Sequence, residues 1–427
     1  MWLVGPAGSG CTRRNREETY KTHLKNVKPS PEHIILIILN PYRELGVREV
    51  INACSTATHL GGSIVDPRVM DAMKNAAGQY VIMMELQDQV SKEIAELVGS
   101  EEAMITAGAT SSLQLGAAAC LLMGSGLEKH SIKPYERLQP IDGPWKSMIQ
   151  RLPDTSGMRN EVILQRTHRN PYEFAYTSIG CRITYAGNEE RCTVNELEDA
   201  ITDDTCLIAF SSHREGSGVS LEETIKLGRR NGIPVVVDAA GNVLPRSNLK
   251  KYARSGADLI AVSGGKQIKG PNDTGILFGR EDLIRMAKLQ ASPFNGLGRG
   301  MKVDRTQMVG LLVALRLFLE VTPEEEKTEF SSWSDRAQWV VDELKDLKGV
   351  SRAEVTAPEP WNVRAMVTFE DSISARDLAF SLRELDPSIW VETSMTGMKD
   401  NRIGIAFDCL IAGEEKKIVE ALRAILS

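Results

Sequence analysis

Gly256-Ala-Asp-Leu-Ile-Ala-Val-Ser-Gly-Gly-Lys-Gln-Ile-Lys-Gly-Pro271 is the stretch on which the reading of this chain turns. Its apolar run over 259–262 predicts a short buried strand, and the run stops abruptly at Ser263-Gly264-Gly265-Lys266. In open α/β sheets, ligands gather beyond the carboxyl ends of the strands. The two glycines let backbone approach closely, so Lys266 is predicted at the edge of a ligand crevice. Just upstream, Ile233-Pro-Val-Val-Val237 predicts the preceding strand, with Asp238 at the corresponding end.

The same alternation extends outward. Strands are predicted over 102–106, 161–165, 182–185 and 205–210. Helices are predicted over 67–77, 86–97, 113–122, 171–179, 193–201, 221–231 and 248–255. Thr193, with Glu196 three residues on, forms a capping box at one of these starts. Short apolar strands alternating with amphipathic helices predict an α/β fold with a mostly parallel sheet. From Asp304 the pattern changes to helices over 305–320 and 333–347, then strands over 363–370, 389–393 and 402–407 interleaved with helices over 374–383 and 414–426. The expected division is an N-terminal extension (1–41), a large domain (42–303) and a small C-terminal α+β domain (304–427). The polar, proline-containing stretch 124–160 reads as an irregular insertion.

Composition narrows the function. The 427 residues are 42% hydrophobic and 25% charged, with a formal net charge of −6. That balance suits a globular enzyme and gives no general attraction to nucleic acid or to an anionic membrane. Seven scattered cysteines, none in a C-x-x-C pair, suggest reduced thiols of the cytoplasm rather than a disulfide framework, and no metal-ligand cluster is present. Residues 1–40 lack the h-region of a secretory signal, and the apolar run 34–39 is too short to span a bilayer. Gly5-Pro-Ala-Gly-Ser-Gly10-Cys11-Thr12 imitates a P-loop without its lysine and without a preceding strand. It is expected to belong to a loosely docked extension.

Four features point to pyridoxal 5′-phosphate. Lys266 offers an amine that can react with the cofactor aldehyde. Asp238, on the neighbouring strand end, can pair with a protonated pyridine nitrogen. Gly108-Ala109-Thr110-Ser111 opens a helix whose amides suit the cofactor phosphate. His168, after the strand at 161–165, can stack on the ring. Each alone has an ordinary alternative: a turn aspartate, a surface lysine, an N-cap, a structural histidine. Their order within one α/β domain outweighs those alternatives.

Tyr42 to Leu60, Gln165-Arg-Thr-His-Arg-Asn-Pro-Tyr172, Val235-Val-Val-Asp-Ala-Ala240 and the 256–271 stretch together resemble the selenocysteine-synthase-like pyridoxal-phosphate enzymes. That family contains L-seryl-tRNA(Sec) selenium transferase and D-glucosaminate-6-phosphate ammonia-lyase. Gly296-Leu-Gly-Arg-Gly-Met-Lys302 is similar to its downstream Gly/Arg/Lys segment. The resemblance implies fold type I, Lys266 rather than Lys269 as the Schiff-base lysine, and Asp238 at the pyridine nitrogen. It also implies His168 over the ring and phosphate contacts from Gly108, Ala109, Thr110 and Ser263. A homodimer or higher homo-oligomer is implied, with active sites at the subunit interface. Only some forty residues precede the family-like start, where selenium transferases carry a tRNA-binding domain, so nucleic acid is not the expected partner.

The expected reaction is α,β-elimination from a hydroxylated amino acid, with D-glucosaminate 6-phosphate a candidate, giving a 2-oxo acid and ammonia. Selenium transfer is the first alternative; a racemase, aldolase or aminotransferase, and a non-catalytic pyridoxal-phosphate binder, complete the set. Arg299, Arg305 and His59 are candidates for substrate contacts, because a guanidinium fork matches carboxylate or phosphate. Arg305 could equally make a helix-start salt bridge, and His59 could be a loop histidine. Arg169, beside His168, is similarly open.

Overall fold

Val235 and Val237 point to one face of a sheet and Val236 to the other. Ile260 and Val262 likewise oppose Leu259 and Ala261, and all are buried. Burial on both faces is what the near-continuous apolar runs predict. The computed structural model describes residues 41–126, 144–393 and 400–427. The N-terminal extension up to residue 40, the P-loop-like stretch within it and residues 127–143 of the insertion lie outside the described residues.

Among the described residues the chain forms twelve strands: β1 (Val50–Ala53), β2 (Glu102–Thr106), β3 (Glu161–Gln165), β4 (Arg182–Ala186), β5 (Thr205–Ser211), β6 (Val235–Asp238), β7 (Leu259–Ser263), β8 (Gly275–Gly279), β9 (Val350–Thr356), β10 (Arg364–Phe369), β11 (Ser388–Val391) and β12 (Arg402–Ala406). The longer helices of the first half are α1 (Pro67–Ala77), α2 (Met83–Val98), α3 (Ala109–Leu121), α4 (Leu221–Asn231) and α5 (Asn248–Ser255). In the second half come α6 (Glu281–Gln290), α7 (Arg305–Glu320), α8 (Pro323–Leu344), α9 (Ala375–Arg383) and α10 (Glu414–Leu426).

Seven strands make the central sheet in the order β2-β8-β7-β6-β5-β3-β4. Strands β7, β6, β5, β3 and β4 run parallel, and β8 is antiparallel to both β7 and β2. The fold is thus the α/β, mostly parallel fold type I architecture. Helix α3 crosses β5 to β8 on one face, and its alanines allow close packing against Leu259 and Leu277. A smaller sheet, β12-β10-β9, is wholly antiparallel. Strand β1 pairs with β11 in parallel, Val50 opposite Ser388, so the first of the described strands joins the last third of the chain.

Two expected elements change. The helix expected over 333–347 begins ten residues earlier, at Pro323. Thr322 caps it in a box with Glu325, and the charged first turns hide it from apolar periodicity. The helix expected over 171–179 shortens to a 3-10 turn, Pro171–Glu173, followed by one helical turn, Phe174–Thr177. Asn170 caps that turn with Glu173, and Pro171 fixes its start. Among its described residues the insertion contains one short helix, Pro144–Ile149.

One packing detail positions the start of α3. A β-carbon on Gly275 would lie 2.5 Å from the Gly108 carbonyl carbon and 2.8 Å from the Ala109 nitrogen. Gly275 also pairs with Ser263 in the sheet. Glycine here brings the start of α3 against the strand that leads to Lys266. Gly275→Ala is expected to cost ~1–3 kcal/mol through overpacking, seen as a lower urea midpoint. It should also weaken cofactor retention on dialysis.

Candidate active site

Sheet register gathers the site. Asp238 at the end of β6 lies beside Ser211 of β5 and Ala261 of β7. Lys266 follows β7 by three residues. Its turn is closed by the Gly264 N–H donating to the Thr274 carbonyl at 2.8 Å and the Gly270 N–H donating to Gly264 at 2.8 Å. Ser63, from the loop after β1, donates its hydroxyl to the Lys266 carbonyl at 2.5 Å. A β-carbon on Gly265 would lie 2.3 Å from the Asn272 α-carbon, so this turn accepts no side chain before the lysine.

Burial lowers the Lys266 pKa and outweighs the opposing charge of Asp238. Burial raises the Asp238 pKa, against the Ala240 amide, Lys266 and His213. The Ala240 N–H donates to Oδ1 of Asp238 at 3.1 Å, and no other hydrogen bond reaches this carboxyl among the described residues. An easily deprotonated amine and a carboxylate with a free oxygen therefore face one crevice.

His168 is 0% exposed. Its Nδ1 accepts from the Ser211 N–H at 3.3 Å, its ring meets Phe210 edge-on with centroids 4.7 Å apart, and its Nε2 is buried without a partner. Burial, then the nearby Arg214 charge, lowers its pKa from 6.5 to about 4. The unfolded chain takes this proton near pH 6.5, while the folded imidazole resists it until about pH 4. The stability tied to the neutral imidazole is therefore complete above pH 6.5 and falls away as pH drops towards 4. The cofactor-free protein should lose roughly 2–3 kcal/mol over that window. Urea titrations at the two ends should show that His168→Gln removes this part of the loss.

Helix α3 starts at Gly108, with φ of 93° and no side-chain cap. The amides of Ala109, Thr110 and Ser111 thus have no intrahelical acceptor, an arrangement that suits an anion. The Ser111 hydroxyl turns back to the Ala107 carbonyl at 2.9 Å, so that residue offers its amide rather than its oxygen. The uncapped amides, the orphaned Nε2 of His168, the free Asp238 oxygen and the Lys266 amine fit a planar phosphorylated pyridine aldehyde.

The remaining candidates lie further out. His59 is exposed and packs against Trp390 with centroids 5.1 Å apart, and Arg383 lies 4.1 Å from that indole. Arg299 is exposed in the loop after α6. Arg305 is the first residue of α7, after the N-cap Asp304: it donates to the Ala77 carbonyl at 3.0 Å and lies 3.6 Å from Asp304, while its Nε is buried without a partner. It also lines a cavity of about 430 Å³ with Thr106 and Lys302. No hydrogen bond or ion pair among the described residues joins His59, Arg299 or Arg305 to Lys266. Arg169 pairs with Glu173 at 3.6 Å and lies over Tyr185. Lys269 is exposed and adopts a left-handed φ of 58°. Among the described residues no three His, Cys, Asp or Glu side chains are arranged for a metal ion, and no single helix is long and apolar enough to cross a membrane.

Two residues escaped the sequence reading. His213 lies on the turn after β5, within the electrostatic reach of Lys266 and Asp238. Arg364 on β10 is held by both oxygens of Glu392, at 3.0 and 2.9 Å. It acts on Cys409, whose thiol contacts Ser63, and Ser63 in turn meets Lys266.

Known proteins are similar to this chain over most of its length. The chain is 30% identical to a 5′-C-glycyluridine monooxygenase-decarboxylase of a Streptomyces species, over 82% of this chain and 83% of that protein. It is 28% identical to the D-glucosaminate-6-phosphate ammonia lyase of Salmonella typhimurium, over 81% of this chain and 87% of that protein. A solved structure of D-glucosaminate-6-phosphate ammonia-lyase superposes with a TM-score of 0.73 at 26% identity, covering 91% of this chain and 98% of that one. Residues 166–386, more than half of the chain, match the family described as aminotransferase class-V. This chain belongs to the aminotransferase class-V family, and its cofactor is pyridoxal 5′-phosphate.

Proposed function

We propose that the chain eliminates water from a 2-amino-3-hydroxy acid and releases a 2-oxo acid and ammonia, with D-glucosaminate 6-phosphate as the first candidate substrate. The observation that carries this reading is the Lys266 amine, made easy to deprotonate by burial and set beside Asp238. The bound cofactor supplies an electron sink for the bonding pair at the substrate α-carbon.

In this reading Lys266 would hold the cofactor through Nζ, and the same nitrogen, once free, takes the substrate α-proton. Asp238 holds a proton on the ring nitrogen through its free oxygen. The first-turn amides of α3 hold the phosphate, with Ser263 beside them. His168 backs the cofactor side of the crevice, its neutral ring held by Phe210 and the Ser211 N–H. Arg364 orients the substrate carboxylate, its own direction fixed by Glu392. The cavity beside Lys302 and Arg305 takes the anionic tail of a sugar-acid phosphate, and the unpartnered Nε of Arg305 supports that role. The working division is a large domain (42–303) and a small one (304–427) around this crevice. The enzyme acts in the cytoplasm as a homodimer or larger homo-oligomer, with exposed Tyr80, Val81 and Ile82 giving apolar surface for a second copy.

The test is product analysis of cofactor-loaded protein given D-glucosaminate 6-phosphate and both enantiomers of serine and threonine. Equimolar 2-oxo acid and ammonia are expected from at least one of them. Formation of the opposite enantiomer, of an aldehyde, or of aminated cofactor without ammonia would instead assign racemase, aldolase or aminotransferase activity.

A further inference from the structure

Elimination needs a second proton transfer that the residues assigned above leave unfilled. Lys266 takes the α-proton, but a proton must then reach the departing β-oxygen. His168 cannot supply it: its ring is 0% exposed and its Nδ1 is already an acceptor.

His213 stands elsewhere. It sits on the 3-10 turn Ser212–Arg214 that follows β5. This turn is fastened at both ends. On one side the Ser211 N–H donates to His168, and Ser212 hydrogen-bonds with Tyr252 of α5. On the other, the Gln165 side chain clamps Val219, accepting from its N–H at 2.7 Å and donating to its carbonyl at 2.9 Å. A β-carbon on Gly218 would lie 2.4 Å from the Gln165 oxygen, so the turn is drawn tight there. On this fixed turn His213 is exposed, and its ring makes no hydrogen bond or ion pair among the described residues.

Its direction is set by one comparison of distances. From the point a β-carbon on Gly241 would occupy, Nε2 of His213 is 3.5 Å away and Nζ of Lys266 is 3.6 Å away. The two nitrogens therefore face the same small space, kept open because residue 241 has no side chain. Burial and the Lys266 charge lower the His213 pKa, with Arg214 adding to them and Asp238 opposing. The imidazole is neutral at neutral pH, ready to accept a proton and pass it on.

We propose that His213 is the catalytic acid that protonates the departing β-hydroxyl; this rests on the elimination reading above. Lys266 takes the α-proton, and the C–H bonding pair becomes the Cα=Cβ double bond. The Cβ–O bond breaks, and its pair leaves with oxygen. His213 receives at Nε2 the proton that Lys266 has gathered and hands it to that oxygen, which departs as water. Lys266 and His213 both return to their starting states, and one substrate yields one water.

The test uses cofactor-loaded His213→Gln, with His213→Asn as a second variant, and D-glucosaminate 6-phosphate in deuterium oxide. Ammonia release is expected to fall by about 10²–10⁴-fold, while α-deuterium continues to enter recovered substrate and the visible cofactor band is unchanged. In cofactor-free protein, the His213 imidazole resonance, assigned by its loss in the variant, should titrate below 6.5 and move upward in Lys266→Met. Ammonia release near the wild-type rate overturns the proposal. So does a parallel loss of exchange and release, or a His213 titration that ignores Lys266→Met. Wild-type protein that releases no ammonia from any hydroxylated amino acid instead defeats the elimination reading, a failure visible before any variant is made.

Discussion

Lys266→Ala leaves a protein that binds pyridoxal phosphate without fixing it: borohydride attaches the cofactor covalently to wild type and not to the variant. Turnover falls by at least about 10⁴-fold, because one change removes both the covalent anchor and the α-proton acceptor. Lys266→Arg fares no better, since a guanidinium stays protonated and cannot serve as nucleophile or base. The informative control is Lys269→Ala. Lys269 stands three residues on, exposed, in a left-handed conformation that glycine more usually adopts. Its removal should leave borohydride fixation intact. Fixation that survives in Lys266→Ala and disappears in Lys269→Ala would transfer the anchoring role to Lys269.

Asp238→Asn keeps the shape of the strand end and removes its charge. An amide cannot hold a proton on the ring nitrogen, so the pull on the α-carbon pair weakens. Truncating one partner of a buried charge-assisted pair costs ~2–5 kcal/mol, or about 30- to 5,000-fold in kcat. The covalent link to Lys266 should persist, and weaker cofactor binding should appear as faster loss on gel filtration. Asp238→Glu separates charge from geometry, because it restores the carboxylate but displaces it from Ala261 and Ser211. If Asp238→Asn turned over at the wild-type rate, the ring nitrogen would be served by another residue.

The chemistry was more legible in the sequence than the pairing of the strands. Helices α7 and α10 and strand β3 match the expected limits, because each carries an uninterrupted apolar pattern between clear stop signals. Lys266 and Asp238 could be read because a short apolar run ending in a polar residue fixes both a strand and its ligand-facing end. Strand β8 escaped notice: five residues bounded by glycines carry too little pattern, and nothing local says that they run antiparallel between β2 and β7. The start of α8 was recoverable from Thr322 and Glu325, a capping box overshadowed by the charged turns behind it. His213 was not recoverable. Its segment has no periodicity, and its direction depends on the clamp between Gln165 and Val219, 54 positions apart. Arg305 illustrates the converse: the residue type fits an anion, yet part of its guanidinium is spent on the Ala77 carbonyl.

The pairing of β1 with β11 sets a timetable. The seven strands of the central sheet span residues 102–279, so the floor of the crevice can form before residues 280–427 are made. Its rim cannot. The loop bearing Ser63 hangs from β1, whose strand partner is residues 388–391, and Ser55 in that loop donates to Asp408 at 2.5 Å. Domains fold roughly in the order they emerge, and contacts between distant residues close last. A nascent chain therefore carries Lys266 on a finished sheet before Ser63 is brought to the lysine carbonyl. A chain cut short before residue 388 keeps the lysine and its turn but lacks the strand that holds β1, and with it the support for the Ser63 contact.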